Sequence, residues 1–259
     1  MPTPFTHIAA AQRLLADPDL PQGVRNRLAL ELPAFLLGSI AADATRLHAP
    51  GTREDTHFYR YDEPIDGQPW RRMLERHPIL LQPRDEAQRI FLAGYVAHLA
   101  MDEIWTREIM WPLMRGIDDV NERRRRALAI TLLMTHCDER DYVVIAASSV
   151  DALGMAQPRA WLPFLSDADL VTMRDLILGQ LRERSQTLEI LSRRWGLTPQ
   201  DFRTTLDDPA RFAAEVLSWI PEWQLLQVER NMDLGMRYRL QDWLKEQALQ
   251  SSSTALTRN

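Results

Sequence analysis

An all-α fold is what this sequence predicts, and three observations predict it. Only ten glycines occur in 259 residues. The stretches between prolines are long and rich in Leu, Ala, Arg, Glu and Gln, which lose little entropy in a helix. No run alternates apolar and polar residues between turn signals, as a strand would. With 45% apolar and 26% charged residues, the chain can bury a sizeable core.

Taken in order, the first helix begins after Pro4, with Thr6 near its start, and runs through "HIAAAQRLLA" until "DPDLPQG" breaks it. "VRNRLALEL" is a second helical stretch ending at Pro33, and "AFLLGSIAADATRL" carries Asp43 in apolar surroundings. From His48 to about Gly67 the Gly, Pro and Asp density is that of a loop, and loops this long are seldom idle. A short helix, "QPWRRMLERH", precedes the central helix expected from about Arg84 to Met114. Further helices are expected over about 121–148 and 167–195, in "TPQDFRTTL", in "DPARFAAEVLSWI", and from Pro221 to Gln250. No shift in composition and no internal repeat marks a second unit. The reading is therefore one multi-helix domain over 1–250, with a polar, aperiodic, disordered tail over 251–259.

A net charge of −5 supplies no global attraction to nucleic acid or to an anionic membrane, so any phosphate-bearing partner has to be held locally, and nucleic acid is not expected as a partner. No segment has the uncharged length of a membrane span, and the first twenty residues lack the pattern of a secretion signal, which makes a cytoplasmic protein the expectation. The single Cys137 excludes an internal disulfide and a cysteine-rich zinc site. There is no GxSxG, no glycine-rich phosphate loop and no Cys/His nucleophile pair. Any metal must be held by His and carboxylate.

The central helix contains "GYVAHLAMDEIW", Gly94 to Trp105. Ala87, Phe91, Gly94, His98, Asp102, Trp105 and Ile109 follow the 3-4 spacing that lines one helix face, so His98 and Asp102 lie in an apolar stripe. Enclosing a lone carboxylate costs several kcal/mol, whereas structural zinc binding is worth roughly 10–16 kcal/mol in small model sites. A cation is the most economical partner. His7 beside Ile8, Asp43 after "FLLGSIAA" and His57 before Phe58 and Tyr59 complete a set of five hard or borderline ligands in apolar settings. Glu103 and Glu108 fall off the stripe, at solvated or rim positions. "ERRRR" at 122–126 reads as a solvated face, and Trp219 and Trp223 in "SWIPEW" as either pocket lining or core packing.

"PTPFTHIAAAQRLL", "FLLGSIAADA", "DTHFY" and "GYVAHLAMDEIW" resemble, in order and spacing, the zinc-dependent phospholipase C family, whose fold is shared with fungal single-strand nucleases. The resemblance covers about residues 3–110, and beyond them only a helical continuation. It implies an α-helical scaffold holding up to three zinc ions in a cleft, where a metal-activated water attacks a phosphoester. By position, Asp43, His57, His98 and Asp102 match the ligands of the best-held metal. His7 matches a ligand of a neighbouring metal bridged by Asp102, and Asp43 matches the proposed general base.

Two departures stand out. The secreted members use a processed N-terminal tryptophan as a ligand, where this chain has Met1. The family's remaining zinc needs a His near the position of Glu108 and a later HxxxE pair. Here only "THCDERD" offers polar groups, His136, Asp138, Glu139 and Asp141, which read equally well as a charged helix face. One or two ions are therefore expected, zinc by the resemblance, with iron and manganese also suited to imidazole and carboxylate. The expected activity is hydrolysis of a small phosphate-bearing substrate. The alternatives are a lyase, cyclase or oxidising enzyme on the same scaffold, or a metal-stabilised binding protein.

Overall fold

The computed structural model describes residues 2–44, 52–61 and 63–256, and it is all-α with no strand among them. The helices are α1 (Pro4–Ala16), α2 (Gln22–Leu30), α3 (Leu32–Ala41), α4 (Glu54–His57), α5 (Pro69–Arg76), α6 (Glu86–Trp105), α7 (Trp111–Met114), α8 (Val120–Tyr142), α9 (Ala147–Gly154), α10 (Asp167–Arg182), α11 (Thr187–Arg194), α12 (Pro199–Leu206), α13 (Pro209–Phe212) and α14 (Glu222–Leu256). They form a single helical domain. The last helix runs into the stretch expected to be a structureless tail; that expectation is corrected as far as Leu256, and 257–259 lie outside the described residues.

α6 is the axis of the molecule. Asp85 caps its start by accepting from the Gln88 backbone N–H. Every residue from Ile90 to Glu103 is buried, so the helix is enclosed on all sides and not along one stripe. Glu103, expected at a rim, is 5% exposed and is held by Arg107 at 3.0 Å. Its chief neighbours are α3 and α14.

The crossing with α3 is set by two glycines. A Cβ on Gly38 would lie 2.1 Å from the Phe91 carbonyl oxygen, and one on Gly94 would lie 2.3 Å from that of Phe35. Any side chain there would hold the two backbones apart. Close approach brings the end of α3, with Ser39 and the turn carrying Asp43, beside His98 one turn beyond Gly94.

The expected 84–114 helix is interrupted by a π-helical turn over Thr106–Met110 before it resumes as α7. Pro112 has no N–H to continue the α-helical ladder, and its ring crowds the carbonyl of Glu108. That carbonyl instead accepts from Gln224 Nε2 of α14 at 3.3 Å.

Two other expected helices are divided. The 121–148 helix stops at Tyr142, followed by exposed Val143 and Val144, and resumes as α9. Over 183–186, the Gln180 side chain takes the Gln186 N–H at 2.9 Å and Ser185 Oγ takes that of Thr187 at 3.2 Å. Side chains that capture backbone donors in this way compete with helix continuation.

Candidate metal centre

Four segments bring the five sequence-predicted residues together. His7 stands on α1, whose first helical position is Pro4, pre-set for a helix. Asp43 lies just past the end of α3, in a turn where its N–H bonds the Ile40 carbonyl at 3.3 Å. His57 ends the short α4, and His98 and Asp102 share a face of α6 one turn apart. All five are buried: Asp43 is the most exposed at 6%, and Asp102 is at 0%.

The chain after His57 turns because Phe58 adopts a left-handed conformation, φ 62°. Such a conformation costs a residue with a Cβ roughly 1–2 kcal/mol. Packing of the Phe58 ring against His77 and Phe164 holds it there, and the turn directs Tyr59 into the cluster. The Tyr95 hydroxyl donates to the Thr56 carbonyl at 2.7 Å, tying α4 to α6. The long loop predicted over 48–67 thus contains an ordered helix that carries a site residue; 45–51 and 62 lie outside the described residues.

The side chains stand close enough to share hydrogen bonds or to hold one small cation. His57 Nε2 and His98 Nε2 approach to 3.2 Å, and each is 3.2 Å from Asp102 Oδ2. Asp43 Oδ1 lies 3.6 Å from His57 Nε2. Zinc bonds to imidazole and carboxylate in a tetrahedral site imply ligand-to-ligand separations of about 3.3 Å. A second set forms on the other side of His98. His7, stacked on the His98 ring at 3.9 Å, turns Nε2 toward Asp102 Oδ1 at 3.4 Å. These two atoms are buried and have no hydrogen-bond partner among the described residues. Among the described residues, the groups able to hold a metal ion are His57, His98 and Asp102, and His7, Asp43 and His98, with ligand atoms within 4.8 Å.

Hydrogen bonds fix which ring nitrogen faces the cage. His98 Nδ1 lies 2.8 Å from the Ser39 carbonyl, which only accepts, so Nδ1 carries the hydrogen and Nε2 the lone pair. His57 Nδ1 meets Thr56 Oγ1 at 3.0 Å. The Thr56 hydroxyl can donate or accept, so His57 Nε2 faces His98 Nε2 and Asp102 either with a hydrogen to donate or with a lone pair open to a cation.

The titration behaviour follows from the same arrangement. Burial pushes His57 down to about 3, and the Arg53 charge adds to this against the pull of Asp102 and Asp43. His7 is also lowered, first by burial and then by His98. Burial opposes the charged form of His98 as well, but Asp102 and Asp43 outweigh it and raise its value. Asp102 is held well below the carboxylate range, because His98 and Arg53 overcome its burial.

Sequence reasoning missed several participants. Arg53, one turn before His57, places Nη2 2.5 Å from Asp102 Oδ2 and 3.1 Å from the Tyr59 hydroxyl. That hydroxyl donates to the Asp102 carbonyl at 3.3 Å and meets Thr106 Oγ1 at 3.0 Å. The i, i+4 spacing of Arg53 and His57 was the available signal, and it is visible only once that part of the loop is read as a helix.

The residues considered for a further ion do not join. Glu108 sits on the π turn and accepts from Asn231 at 2.8 Å. Exposed His136 packs on the Phe212 ring, centroids 4.7 Å apart. Glu139 pairs with Arg203, and Asp141 with Arg140. Asp138 is buried against Thr3, which bonds it, and Ser185. Trp223 is 72% exposed and Trp219 packs against the core, so the tryptophans do not line the cleft at Asp43.

That cleft has a volume of about 440 Å³ and opens between the N-terminal segment, α8, α10 and α11. Asp43 and Tyr61 line it together with Met134, Met173, Ile177 and Leu191, which supply apolar walls. Among the described residues, no helix is long and apolar enough to cross a membrane. Compared with protein-family models, curated proteins and solved structures, the chain matches none.

Proposed function

We propose that this chain is a metal-dependent phosphoester hydrolase of the zinc-dependent phospholipase C type, with His57, His98, Asp102, Asp43 and His7 holding one or two zinc ions. One observation carries the reading: His57 Nε2, His98 Nε2 and Asp102 Oδ2 stand at mutual separations of 3.2 Å, the spacing of ligands around one small cation. His7 Nε2 and Asp102 Oδ1, buried without a hydrogen-bond partner among the described residues, and the group His7, Asp43 and His98 support a second ion.

A bound zinc ion supplies Lewis acidity and lowers the pKa of water in its reach. The chain's residues supply the rest. Asp102 and Asp43 balance the charge, while Ser39 and Thr56 orient the two imidazoles from behind. Asp43 alone of the five reaches the cleft. Its carboxylate takes the proton of the attacking water as the new P–O bond forms and the bond to the leaving alkoxide breaks, and that proton then passes to the alkoxide. Apolar walls exclude bulk water from the approach.

The test is to purify the protein without chelator, measure bound metal by mass spectrometry and anomalous scattering, and assay phosphodiesters and monoesters. Zinc with Asp43-dependent turnover is the expected result; metal without turnover on any of them overturns the hydrolase. Redox-active iron in the isolated protein would instead favour the biosynthetic reading, for which the reduced ligand set speaks.

A further inference from the structure

We infer that Arg53 is the oxyanion-binding residue of this site, receiving a phosphoryl oxygen of the ligand on Nε and Nη1, the donors left without a partner among the described residues. The inference rests on the phosphoester reading for the identity of the anion, and on the geometry for the residue.

Arginine offers five N–H donors in a planar fork. Arg53 spends Nη2 on Asp102 and the Tyr59 hydroxyl, while Nε and Nη1 are buried with no hydrogen-bond partner among the described residues. A permanently charged group with unsatisfied buried donors is costly, and an anion removes that cost. The side chain is 11% exposed, so water satisfies little of it.

The guanidinium is also held in place. It lies 5.4 Å from the Tyr59 ring centroid and 4.8 Å from that of Tyr61. Tyr61 is in turn a wall of the cleft that reaches Asp43. A ligand lying in the cleft with its polar end at Asp43 therefore ends beside Tyr61, the ring on which the Arg53 guanidinium packs. The charge balance points the same way. Asp43 and Asp102 carry two negative charges, so one divalent ion neutralises them and Arg53 is left in surplus, ready for one anionic ligand.

The experiment measures binding of inorganic phosphate and of dibutyl phosphate by calorimetry, with metal content determined on the same samples. Wild type, Arg53→Gln and Arg53→Lys are compared as metal-loaded proteins. Arg53→Gln is expected to keep its metal and bind both anions about tenfold more weakly or worse. Arg53→Lys, which keeps the charge and loses the fork, is expected between the two and serves as the readout if Arg53→Gln does not fold. Tighter binding of the dibutyl ester than of phosphate identifies a diester as the ligand; the reverse identifies a monoester or free phosphate. Unchanged affinity in both variants, or no binding of either anion to wild type, overturns the inference. Protein that carries no metal yet binds phosphate in an Arg53-dependent way would sink the hydrolase and leave this inference standing.

Discussion

Two aspartates, Asp102 on α6 and Asp138 on α8, have side chains at 0% exposure, and they titrate in opposite directions. Asp102 is ringed by His7, His57, His98 and Arg53, and His98 and Arg53 hold it well below the carboxylate range against its burial. Asp138 meets the hydroxyls of Thr3 and Ser185; burial pushes it up to about 7, with Asp141 and Glu139 adding to the rise. Burial is the same in both places. The neighbours decide whether a carboxylate is ready to ligate a cation or to keep a proton.

The largest effect that sharpens this contrast comes from Asp102→Asn. Removing the charge leaves Arg53 buried without its ion pair and takes a carboxylate from the proposed metal centre. We expect bound metal to be lost, and the chelated protein to be destabilised by about 3–5 kcal/mol in urea titrations. Retention of metal would show that Asp102 is not a ligand.

Gly94→Ala comes next. Its Cβ would meet the Phe35 carbonyl at 2.3 Å, so α3 must move away from α6. A loss of about 1–3 kcal/mol is expected, together with reduced metal occupancy, because Ser39 and Asp43 move with α3. Metal bound at wild-type affinity would separate the site from the helix crossing.

Asp138→Asn tests the other pole through pH. The folded-state value of Asp138, about 7, stands above its ordinary 3.8, so the folded protein holds the proton across this interval. Its contribution to stability is present below about pH 4 and is lost as pH rises through about 7. At pH 8 the asparagine variant is expected to be more stable than wild type by about 1–3 kcal/mol, with a flatter pH profile and unchanged metal content. A variant that loses metal would join Asp138 to the centre.

His57 gives the opposite sign. Lowered from 6.5 to about 3, it favours the fold above pH 6.5 and withdraws that support as the pH falls toward 3. Smallest of all should be His136→Gln. The residue is exposed beside Phe212 and no metal group among the described residues includes it, so a change within about 0.5 kcal/mol and full metal content are expected. Loss of metal there would reopen the acidic stretch of α8 as a site.

Much of this was legible along the chain. The helix class, the first, second and fifth helices, and the ligand types at His7, Asp43, His57, His98 and Asp102 follow from periodicity, prolines and the rarity of ionisable groups in apolar runs. Harder to read were the breaks in the longer helices. Gln180 capturing the Gln186 N–H and Gln224 capping the Glu108 carbonyl are side-chain events that no propensity encodes. The expectation of a solvated Glu103 failed because α14 covers the face of α6 that the 3-4 pattern leaves outside.

By itself, then, the sequence determined that the chain would be helical and that five residues with ligand chemistry would lie in apolar surroundings, because side-chain entropy, proline geometry and hydrophobic spacing act within a few residues. Only the tertiary structure decided which nitrogen each histidine presents, how Asp43 and His7 divide around His98, and that Arg53 joins them. Those outcomes depend on the close α3 to α6 crossing at Gly38 and Gly94 and on the left-handed turn at Phe58. Both are set by packing between segments far apart in the chain.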